Sequence, residues 1–484
     1  MLKAIAILYL SSCVFFSGCA QAIRANKLEK PAANRPNIIY ILADDLGYGD
    51  IGAYGQEKIK TPHLDNLANN GMVFTNHYAG QTVCSPSRCS LITGKHMGHA
   101  SVTRNGQLLN ASDTTLAELL QNAGYKTGII GKWGLSEGPF QDNSPNQKGF
   151  DHHFGFDNQG FAHFYYPEYL WRNKIKVEYP ENLNIRDANG GYIAGKGTYS
   201  HDEFAEEALQ FIENNKKQPF FLYLPFAIPH AELTIQEEAK QPYRGLNWPE
   251  TPKPEGGGAK KGYGYGSQYT NGYCAQIEPN ITYAAMVTKM DYNIGRIVAL
   301  LDTLGISENT IIMFSSDNGP SDEGGQDLSF FNSTKGLRGH KRDLYEGGIR
   351  VPFIAHWKNK IKRGTTSNIP SAFWDILPTV CDIANVEIPG NIDGVSLKPT
   401  LLGNNQVQQK HDYLFWQWQH GKNPNYEALR IDNWKLFRIT PLGSQTSYFE
   451  LYNLDEDPSE TNNLAKSRAD IVNTYVAYFD AAKI

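Results

Sequence analysis

Residues 38–45 read Ile-Ile-Tyr-Ile-Leu-Ala-Asp-Asp, an apolar run that ends in two carboxylates. A continuous apolar run of this length predicts a strand buried on both faces, as in a parallel sheet covered by helices. A second run, residues 310–315, leads into Ser-Asp-Asn-Gly at residues 316–319. Because ligands of open α/β sheets bind beyond the carboxyl ends of the strands, we expect the acidic ends of these two strands to lie together.

Helical patterns alternate with further apolar runs up to about residue 400. Helices are predicted over residues 61–69, 114–123, 202–214 and 281–304, and strands over residues 125–130 and 220–224. This alternation predicts an α/β fold with a mostly parallel central sheet flanked by helices. A stretch rich in Gly, Tyr and Lys, residues 256–272, predicts a long surface loop.

After about residue 400 the pattern changes to short strands. These strands are predicted over residues 413–417, 426–431, 434–439 and 449–453, with a final helix over residues 465–482. We therefore expect a large domain over residues 35–400 and a small C-terminal α+β domain over residues 401–484, built from an antiparallel sheet and a helix.

The first residues predict export. A basic residue precedes an apolar stretch, residues 4–16, that is too short to span a bilayer, and Cys19 follows two small residues. We interpret residues 1–18 as a signal peptide of the lipoprotein type, Cys19 as the lipidated residue and residues 19–34 as a polar tether. A secreted protein cleaved slightly later, without a lipid, is the alternative.

The net charge of -5 over 484 residues does not favour nucleic-acid or membrane-surface binding, so membrane contact is expected only through the lipid anchor.

Residues 84–94 read Cys-Ser-Pro-Ser-Arg-Cys-Ser-Leu-Ile-Thr-Gly. Alone, Ser-Pro-Ser is common turn chemistry, and a lone cysteine is most often a small buried residue. The full pattern, Cys-x-Pro-Ser-Arg followed by Leu-x-Thr-Gly, resembles the signature of type I sulfatases. The resemblance extends, in the family's order and spacing, over residues 44–45, 131–133, 229–230, 317–319, 339–341 and 346–352.

The resemblance implies an alkaline-phosphatase-like fold and a sulfuric-ester hydrolase, with residues 35–400 as the sulfatase catalytic domain. In this family the cysteine that matches Cys84 is oxidised to Cα-formylglycine (3-oxoalanine) by a formylglycine-generating or anaerobic sulfatase-maturating enzyme. The hydrated aldehyde offers two hydroxyls on one carbon. One attacks the sulfur of the ester, and the other later expels the sulfate.

The same resemblance implies one Ca²⁺ per chain. Its ligands would be the modified Cys84 with Asp44, Asp45, Asp317 and Asn318, and hard oxygen ligands of this kind suit Ca²⁺ or Mg²⁺. Taken in isolation, such residue pairs are also common in loops and helix caps. In the family the metal acts as a Lewis acid and a template.

Four further residues match family positions around the sulfate. Arg88 would support the formylglycine hydrate, Lys132 and Lys341 would hold sulfate oxygens, and His230 would lie near the sulfate and the bridging oxygen. Fixed cations stabilise the charge that spreads over the sulfuryl oxygens in the transition state. Taken singly, each lysine would be read as a solvated surface residue and His230 as a core residue at a strand end.

One position departs from the family. The usual Gly-Lys-Trp-His-Leu-Gly is Gly-Lys-Trp-Gly-Leu-Ser here, so Gly134 stands where the family has the histidine assigned as the base that expels sulfate. We hypothesise that His163, His340 or a water takes this role, with packing among aromatic rings as the alternative for His163. If neither histidine does so, protonation of the leaving group would fall to His230.

The substrate expected from the resemblance is a sulfated algal polysaccharide or its oligosaccharides, such as ulvan, carrageenan or another galactan. Its sulfate would be removed in the bacterial periplasm or at the outer membrane. Residues 164–173 add aromatic and cationic groups, Arg172 among them, that suit a sulfated and carboxylated glycan or serve in ordinary packing. Two other functions remain open at this stage. One is a phosphate monoester, phosphate diester or phosphonate hydrolase of the alkaline-phosphatase superfamily, and the other is a glycan-binding surface lipoprotein without activity.

Overall fold

The computed structural model describes residues 35–257, 272–419 and 421–483, in which strands and helices alternate along the chain. The strands are β1 (Asn37–Ala43), β2 (Met72–Phe74), β3 (His77–Tyr78), β4 (Lys126–Lys132), β5 (His152–Phe156), β6 (Tyr169–Arg172), β7 (Ile175–Glu178), β8 (Phe220–Pro225), β9 (Thr310–Ser316), β10 (Phe353–Trp357), β11 (Thr365–Ser367), β12 (Ser371–Ala372), β13 (Leu414–Trp418), β14 (Asn425–Ile431), β15 (Trp434–Thr440) and β16 (Tyr448–Asn453). The helices are α1 (Pro62–Asn69), α2 (Cys84–Thr93), α3 (Leu116–Asn122), α4 (Ser200–Asn215), α5 (Pro279–Thr303), α6 (Leu328–Phe331), α7 (Glu346–Ile349), α8 (Ile376–Ala384), α9 (Lys398–Leu401), α10 (Ala469–Tyr475) and α11 (Tyr478–Ala481).

Three predictions concern residues outside this description. Residues 1–34, with the predicted signal peptide, the lipidated Cys19 and the tether, lie outside the described residues. So does most of the predicted loop over residues 256–272. None of the helices in the described part of the chain combines the length and the apolarity needed to cross a bilayer.

In the described residues the central sheet has ten strands in the order β11-β2-β10-β9-β1-β8-β4-β5-β6-β7. Strands β9, β1, β8, β4 and β5 are parallel to one another, whereas β10 and the β6–β7 hairpin run antiparallel to their neighbours. The predicted α/β class with a mostly parallel sheet is therefore confirmed. Six further strands of this sheet, which are short or lie towards its edges, were not predicted from the sequence: β2, β5, β6, β7, β10 and β11.

Strand β1 lies in the middle of the sheet and is buried along its whole length. Ile39 and Ile41 contribute to the core that contains α1, α4 and α5, while Ile38 and Tyr40 contribute to the core that contains α2, α3 and α8. Successive side chains of a strand point to opposite faces, so an uninterrupted apolar run is what a sheet covered on both faces requires.

The C-terminal residues form the predicted four-stranded antiparallel sheet, in the order β13-β14-β15-β16. One face packs on the main body: Trp416 of β13 lies in a cluster with Val83, and its Nε1 donates to Ala79 O at 2.9 Å. This sheet therefore supports the segment that leads into α2. The domain boundary at residue 400 stays a prediction.

The single C-terminal helix predicted over residues 465–482 is wrong. Two short helices, α10 and α11, stand there, and only turn residues separate them. Asn473, Thr474, Tyr475 and Val476 are consecutive weak helix formers, and the Thr474 hydroxyl donates to Asp470 O. Val472 and Phe479 still point into one core beneath the sheet, so packing holds both pieces.

Candidate functional site

Three carboxylates meet at the carboxyl ends of the two central strands β1 and β9. The parallel register pairs Ala43 with Ser316, which places Asp44 beside Asp317. Asp45 turns the chain with a φ of 62° and donates its backbone N–H to Asp317 Oδ1 at 3.2 Å. Asn318 Nδ2 donates to Asp45 Oδ1 at 2.7 Å. The predicted meeting of the acidic strand ends is thus present in the fold.

Cys84 is the first residue of α2, after Val83 in extended conformation. Its side chain is fully buried, and Sγ donates to Asp44 Oδ1 at 3.3 Å. The start of α2 thereby places Cys84 at the acidic cluster, although Cys84 is 40 residues from Asp44 in the sequence.

Arg88 lies one helical turn after Cys84 and is also buried. Its Nη2 donates to Asp317 Oδ2 at 2.8 Å and to Asp44 Oδ2 at 3.2 Å, and its Nη1 donates to Lys132 O at 2.8 Å. A planar guanidinium with several fixed donors suits this bridging position. Arg88 therefore joins both acidic strand ends to the end of β4.

Two buried lysines bind different carboxylates of the cluster. Lys132, the last residue of β4, donates from Nζ to Asp44 Oδ2 at 2.7 Å. Lys341 donates from Nζ to Asp45 Oδ2 at 2.7 Å and to Glu323 Oε2 at 3.3 Å. Both ammonium groups have almost no exposed surface, so they are paired cations and not solvated surface lysines.

His230 accepts from Lys341 Nζ at 2.9 Å through its Nε2, because an ammonium group can only donate. Its Nδ1 contacts Ala231 O, and a carbonyl can only accept, so the ring proton lies on Nδ1. Burial, followed by the charge of Lys341, lowers the pKa of His230 to about 3. The imidazole is therefore neutral, with its Nε2 lone pair directed towards the cations.

His163 stacks on His230 with ring centroids 4.0 Å apart. Its Nε2 lies 3.5 Å from both Lys132 Nζ and Gln159 Nε2, which are donors, and its Nδ1 lies 3.1 Å from Tyr273 Oη. Burial and then the neighbouring charges keep the pKa of His163 well below its ordinary value. This ring therefore also offers an Nε2 lone pair, on the Lys132 side of the site.

Gln159 accounts for the glycine at position 134. Gly134 has a φ of 73°, and a Cβ built there would lie 2.6 Å from Gln159 Oε1. That oxygen accepts from Ser85 Oγ at 2.9 Å, next to Cys84. The space beside residue 134 is thus occupied by Gln159, which in turn contacts His163.

The site opens into a cavity of about 290 Å³. Residues already described that line it are Gly134, Gln159, His163, His230, Tyr273 and Lys341. Sequence reasoning missed Gln159, Tyr273 and Glu323 as well as Arg342, which also lines the cavity. These residues come from loops distant in sequence and carry no recognisable spacing. The signal for Arg342 was its place directly after Lys341.

Two candidates from the sequence lie elsewhere. Arg172 on β6 donates to Glu207 of α4 from Nε at 3.2 Å and from Nη2 at 2.6 Å, and it stacks over Phe154. His340 is half-buried, and its backbone N–H donates to Asp343 at 3.2 Å. The structure therefore places His163 beside Lys132 and His230 in the cavity, whereas Arg172 is held by a carboxylate of its own and His340 is not among the described residues that line the cavity.

The donor atoms fit a hard divalent cation. Ligand atoms of Asp44, Asp45, Cys84 and His230 lie within 4.8 Å of one another, and the buried Asn318 Oδ1 has no hydrogen-bond partner among the described residues. Oxygen donors from carboxylates and amides are those that Ca²⁺ and Mg²⁺ take.

The charges at this cluster also favour a cation. Burial, increased by the charge of Asp44, raises the pKa values of Asp45 and Asp317 to about 6. Burial acts on Asp44 as well, but Lys132 and the other nearby cations keep its pKa well below the usual range. A divalent cation would relieve the repulsion among these three carboxylates.

Comparison with known proteins agrees with this geometry. Residues 36–386 match the sulfatase family, and residues 338–476 match the family described as N-sulphoglucosamine sulphohydrolase, C-terminal. The chain is 31% identical to arylsulfatase G of Rattus norvegicus, over 90% of this chain and 83% of that protein. It is 28% identical to N-acetylgalactosamine-6-O-sulfatase of Bacteroides thetaiotaomicron, over 96% of each. The solved structure of Ps i-CgsB in complex with k-i-k-neocarrahexaose superposes with a TM-score of 0.74 at 26% identity, over 93% of each chain.

Proposed function

This chain belongs to the sulfatase family and is a sulfuric ester hydrolase, and on that basis we propose that it removes sulfate from a sulfated glycan with residue 84 as the nucleophile. The observation that carries the proposal is the position of Cys84 at the start of α2. There it touches Asp44 and lies one turn from Arg88, which binds the second acidic strand end.

The surroundings of Cys84 favour its conversion to formylglycine over direct use of the thiol. Burial, reinforced by the charge of Asp44, raises the pKa of the Cys84 thiol well above its ordinary value. The thiolate is the nucleophilic form of cysteine, so an unmodified thiol here would react poorly at neutral pH. The hydrate of an aldehyde at this position would supply a hydroxyl nucleophile that needs no thiolate.

We propose that Asp44, Asp45, Asp317 and Asn318 hold one Ca²⁺ together with the modified residue 84. When bound, the ion would supply Lewis-acid stabilisation of a sulfate oxygen. Two observations support this ligand set: Asn318 Oδ1 has no hydrogen-bond partner in the part of the chain that the structure describes, and the pKa values of Asp45 and Asp317 are raised.

The protein's own cations would bind the sulfate group. Lys132 and Lys341 are each held in place by a different buried carboxylate. Donors that are fixed before the reaction stabilise charge on the sulfuryl oxygens without reorganising. Arg88, with bonds to two carboxylates and a carbonyl, would keep residue 84 and the strand ends in register.

We propose that two adjacent neutral imidazoles transfer the protons. His163 presents its Nε2 beside Lys132, and His230 presents its Nε2 beside Lys341. We propose His163 as the base that takes over the role of the family histidine absent at Gly134. Gln159 and Tyr273 orient this ring through its two nitrogens.

Mass spectrometry of the peptide bearing residue 84, from protein made in its native host, tests the nucleophile. Formylglycine is the expected mass, and unmodified cysteine would refute the mechanism. Cys84→Ala should abolish release of sulfate from a panel of sulfated oligosaccharides. Cys89→Ala changes the other buried cysteine of α2 and serves as the matched control with retained activity.

The proton acceptor is tested by His163→Gln against His340→Gln. General-base catalysis contributes about 10²- to 10⁴-fold, so we expect a loss of that size for His163→Gln, with a changed pH profile of kcat, and little change for His340→Gln. Near-normal turnover in both variants would refute the substitution of one histidine for another.

We further propose that the substrate is an algal polysaccharide or its oligosaccharides, such as ulvan, carrageenan or another galactan, and that the protein is an exported lipoprotein anchored through Cys19. The complex of Ps i-CgsB with a neocarrahexaose supports a sulfated galactan. Sulfate release measured across ulvan, carrageenan and glycosaminoglycan oligosaccharides decides among these substrates. Metabolic labelling of wild type and Cys19→Ala with radioactive palmitate tests the anchor.

A further inference from the structure

Arg342 stands at the mouth of the site cavity in a backbone conformation that arginine rarely adopts. Its φ is 79°, in the left-handed region that disfavours residues with a Cβ. Its backbone N–H donates to Thr82 O at 3.1 Å, so the segment before Cys84 holds it in place. Strained residues that the surrounding structure holds in place cluster at binding sites.

The guanidinium of Arg342 faces both the cavity and solvent. Nη2 donates to Glu323 Oε1 at 2.7 Å, and 38% of the side chain is exposed. Lys341, the preceding residue, is 3% exposed and reaches the other oxygen of Glu323 at 3.3 Å. The carboxylate of Glu323 therefore binds the buried Lys341 through one oxygen and the half-exposed Arg342 through the other.

Among the described residues that line the cavity, Lys341 and Arg342 supply the lysine and arginine side chains. A guanidinium has five N–H donors in a planar fork that matches carboxylate and sulfate oxygens. The bond to Glu323 uses Nη2, which leaves the rest of the fork for a ligand.

We propose that Arg342 is a specificity-determining residue that binds a second anionic group of the substrate, a carboxylate or sulfate about one sugar away from the ester that is cleaved. The inference rests on the proposed function, since Lys341 is assigned there to the reacting sulfate. Glu323 sets the spacing between the two cations and thus the spacing of the two anions. The substrate class is accordingly a glycan with two anionic groups, not one with a single sulfate.

The test compares two disaccharides that carry the same cleavable sulfate. One bears a free carboxylate on the neighbouring sugar, and the other bears its methyl ester. For wild type we expect KM to be about tenfold lower for the carboxylate, which corresponds to about 1.4 kcal/mol. Arg342→Gly removes the guanidinium and at the same time suits the positive φ, so the fold is not put at risk.

Arg342→Gly should reduce that tenfold ratio to near one. Lys335→Gly is the matched control, because Lys335 is an exposed cation with a φ of 58° outside the cavity, and its ratio should equal that of wild type. An unchanged ratio in Arg342→Gly would overturn the inference, while sulfate release by wild type would leave the proposed function standing. No sulfate release from any substrate by mature wild-type enzyme would instead refute the proposed function.

Discussion

The space next to Gly134 yields a quantitative prediction. A Cβ at this position would lie 2.6 Å from Gln159 Oε1, and the φ of 73° is unfavourable for any residue but glycine. Gly134→Ala therefore has two costs. One is the left-handed backbone conformation, about 1–2 kcal/mol. The other is the displacement of Gln159, which gives up the hydrogen bond from Ser85 at 2.9 Å, about 1 kcal/mol.

These two costs predict the outcome of a double-mutant cycle. Gly134→Ala should lower the free energy of unfolding by about 2–3 kcal/mol, and Gln159→Ala, which loses the same hydrogen bond, by about 1 kcal/mol. In the double variant the backbone cost persists, but the hydrogen bond is lost only once. The double variant should therefore lose about 2–3 kcal/mol in total, which gives a coupling energy of about 1 kcal/mol between the two positions.

Urea-induced unfolding, followed by tryptophan fluorescence, measures all four free energies in the metal-loaded protein. The m-values should agree across the four proteins, so that midpoints can be compared directly. Additive effects, within about 0.5 kcal/mol, would refute the conclusion that Gln159 fills the space at residue 134. Because Gln159 orients His163, Gln159→Ala should lower sulfatase activity, and the activity of the double variant should not exceed that of Gln159→Ala.

Three other outcomes are expected. Removal of divalent metal with EGTA should lower Tm and abolish sulfate release, and added Ca²⁺ should restore both; an unchanged Tm would contradict the carboxylate cluster as a metal site. Burial raises the pKa of Asp157 to about 8. The folded state therefore binds an extra proton at Asp157 between about pH 4 and pH 8, so the contribution of Asp157 to the free energy of unfolding falls as pH rises through that window. Asp157→Asn should flatten this dependence in urea titrations, and an unchanged slope would contradict it. Lys435 bridges Glu346 and Glu460 at 2.9 and 3.0 Å without exposure, so Lys435→Met should destabilise the protein by about 3–5 kcal/mol. Lys358→Met, at a pair that is half exposed, should change stability by less than about 1 kcal/mol, and equal effects would refute the argument.

The sequence was sufficient to predict the α/β class and the four strands at the centre of the sheet, β1, β4, β8 and β9. The buried strands β1, β8 and β9 appear as apolar runs because helices cover both faces of the sheet there, and this pattern is local. The strands on either side of these four were missed because a short strand such as β6 is specified by its neighbour in the sheet rather than by its own composition. The C-terminal helix was predicted as one long helix because the apolar pattern continues from α10 into α11, across the turn that separates them.

The site was predictable where its residues stand at strand ends or in a recognisable motif. Asp44 and Asp317 follow two strands whose parallel register brings them together, and Cys84 begins the helix whose next turn carries Arg88. The partners of His163 were not predictable, since Gln159 and Tyr273 reach it from separate loops.

By itself, then, the sequence determined the sulfatase signature, the acidic strand ends and the absence of a histidine at residue 134. Only the tertiary structure decided that Gln159 fills that space, that Arg172 is paired with Glu207 and that Arg342 stands at the cavity mouth. The physical reason is the distance along the chain between the residues that interact. Strand burial and helix periodicity depend on the pattern of neighbouring residues. The environment of a side chain in a cavity depends on loops that meet only after the sheet has formed.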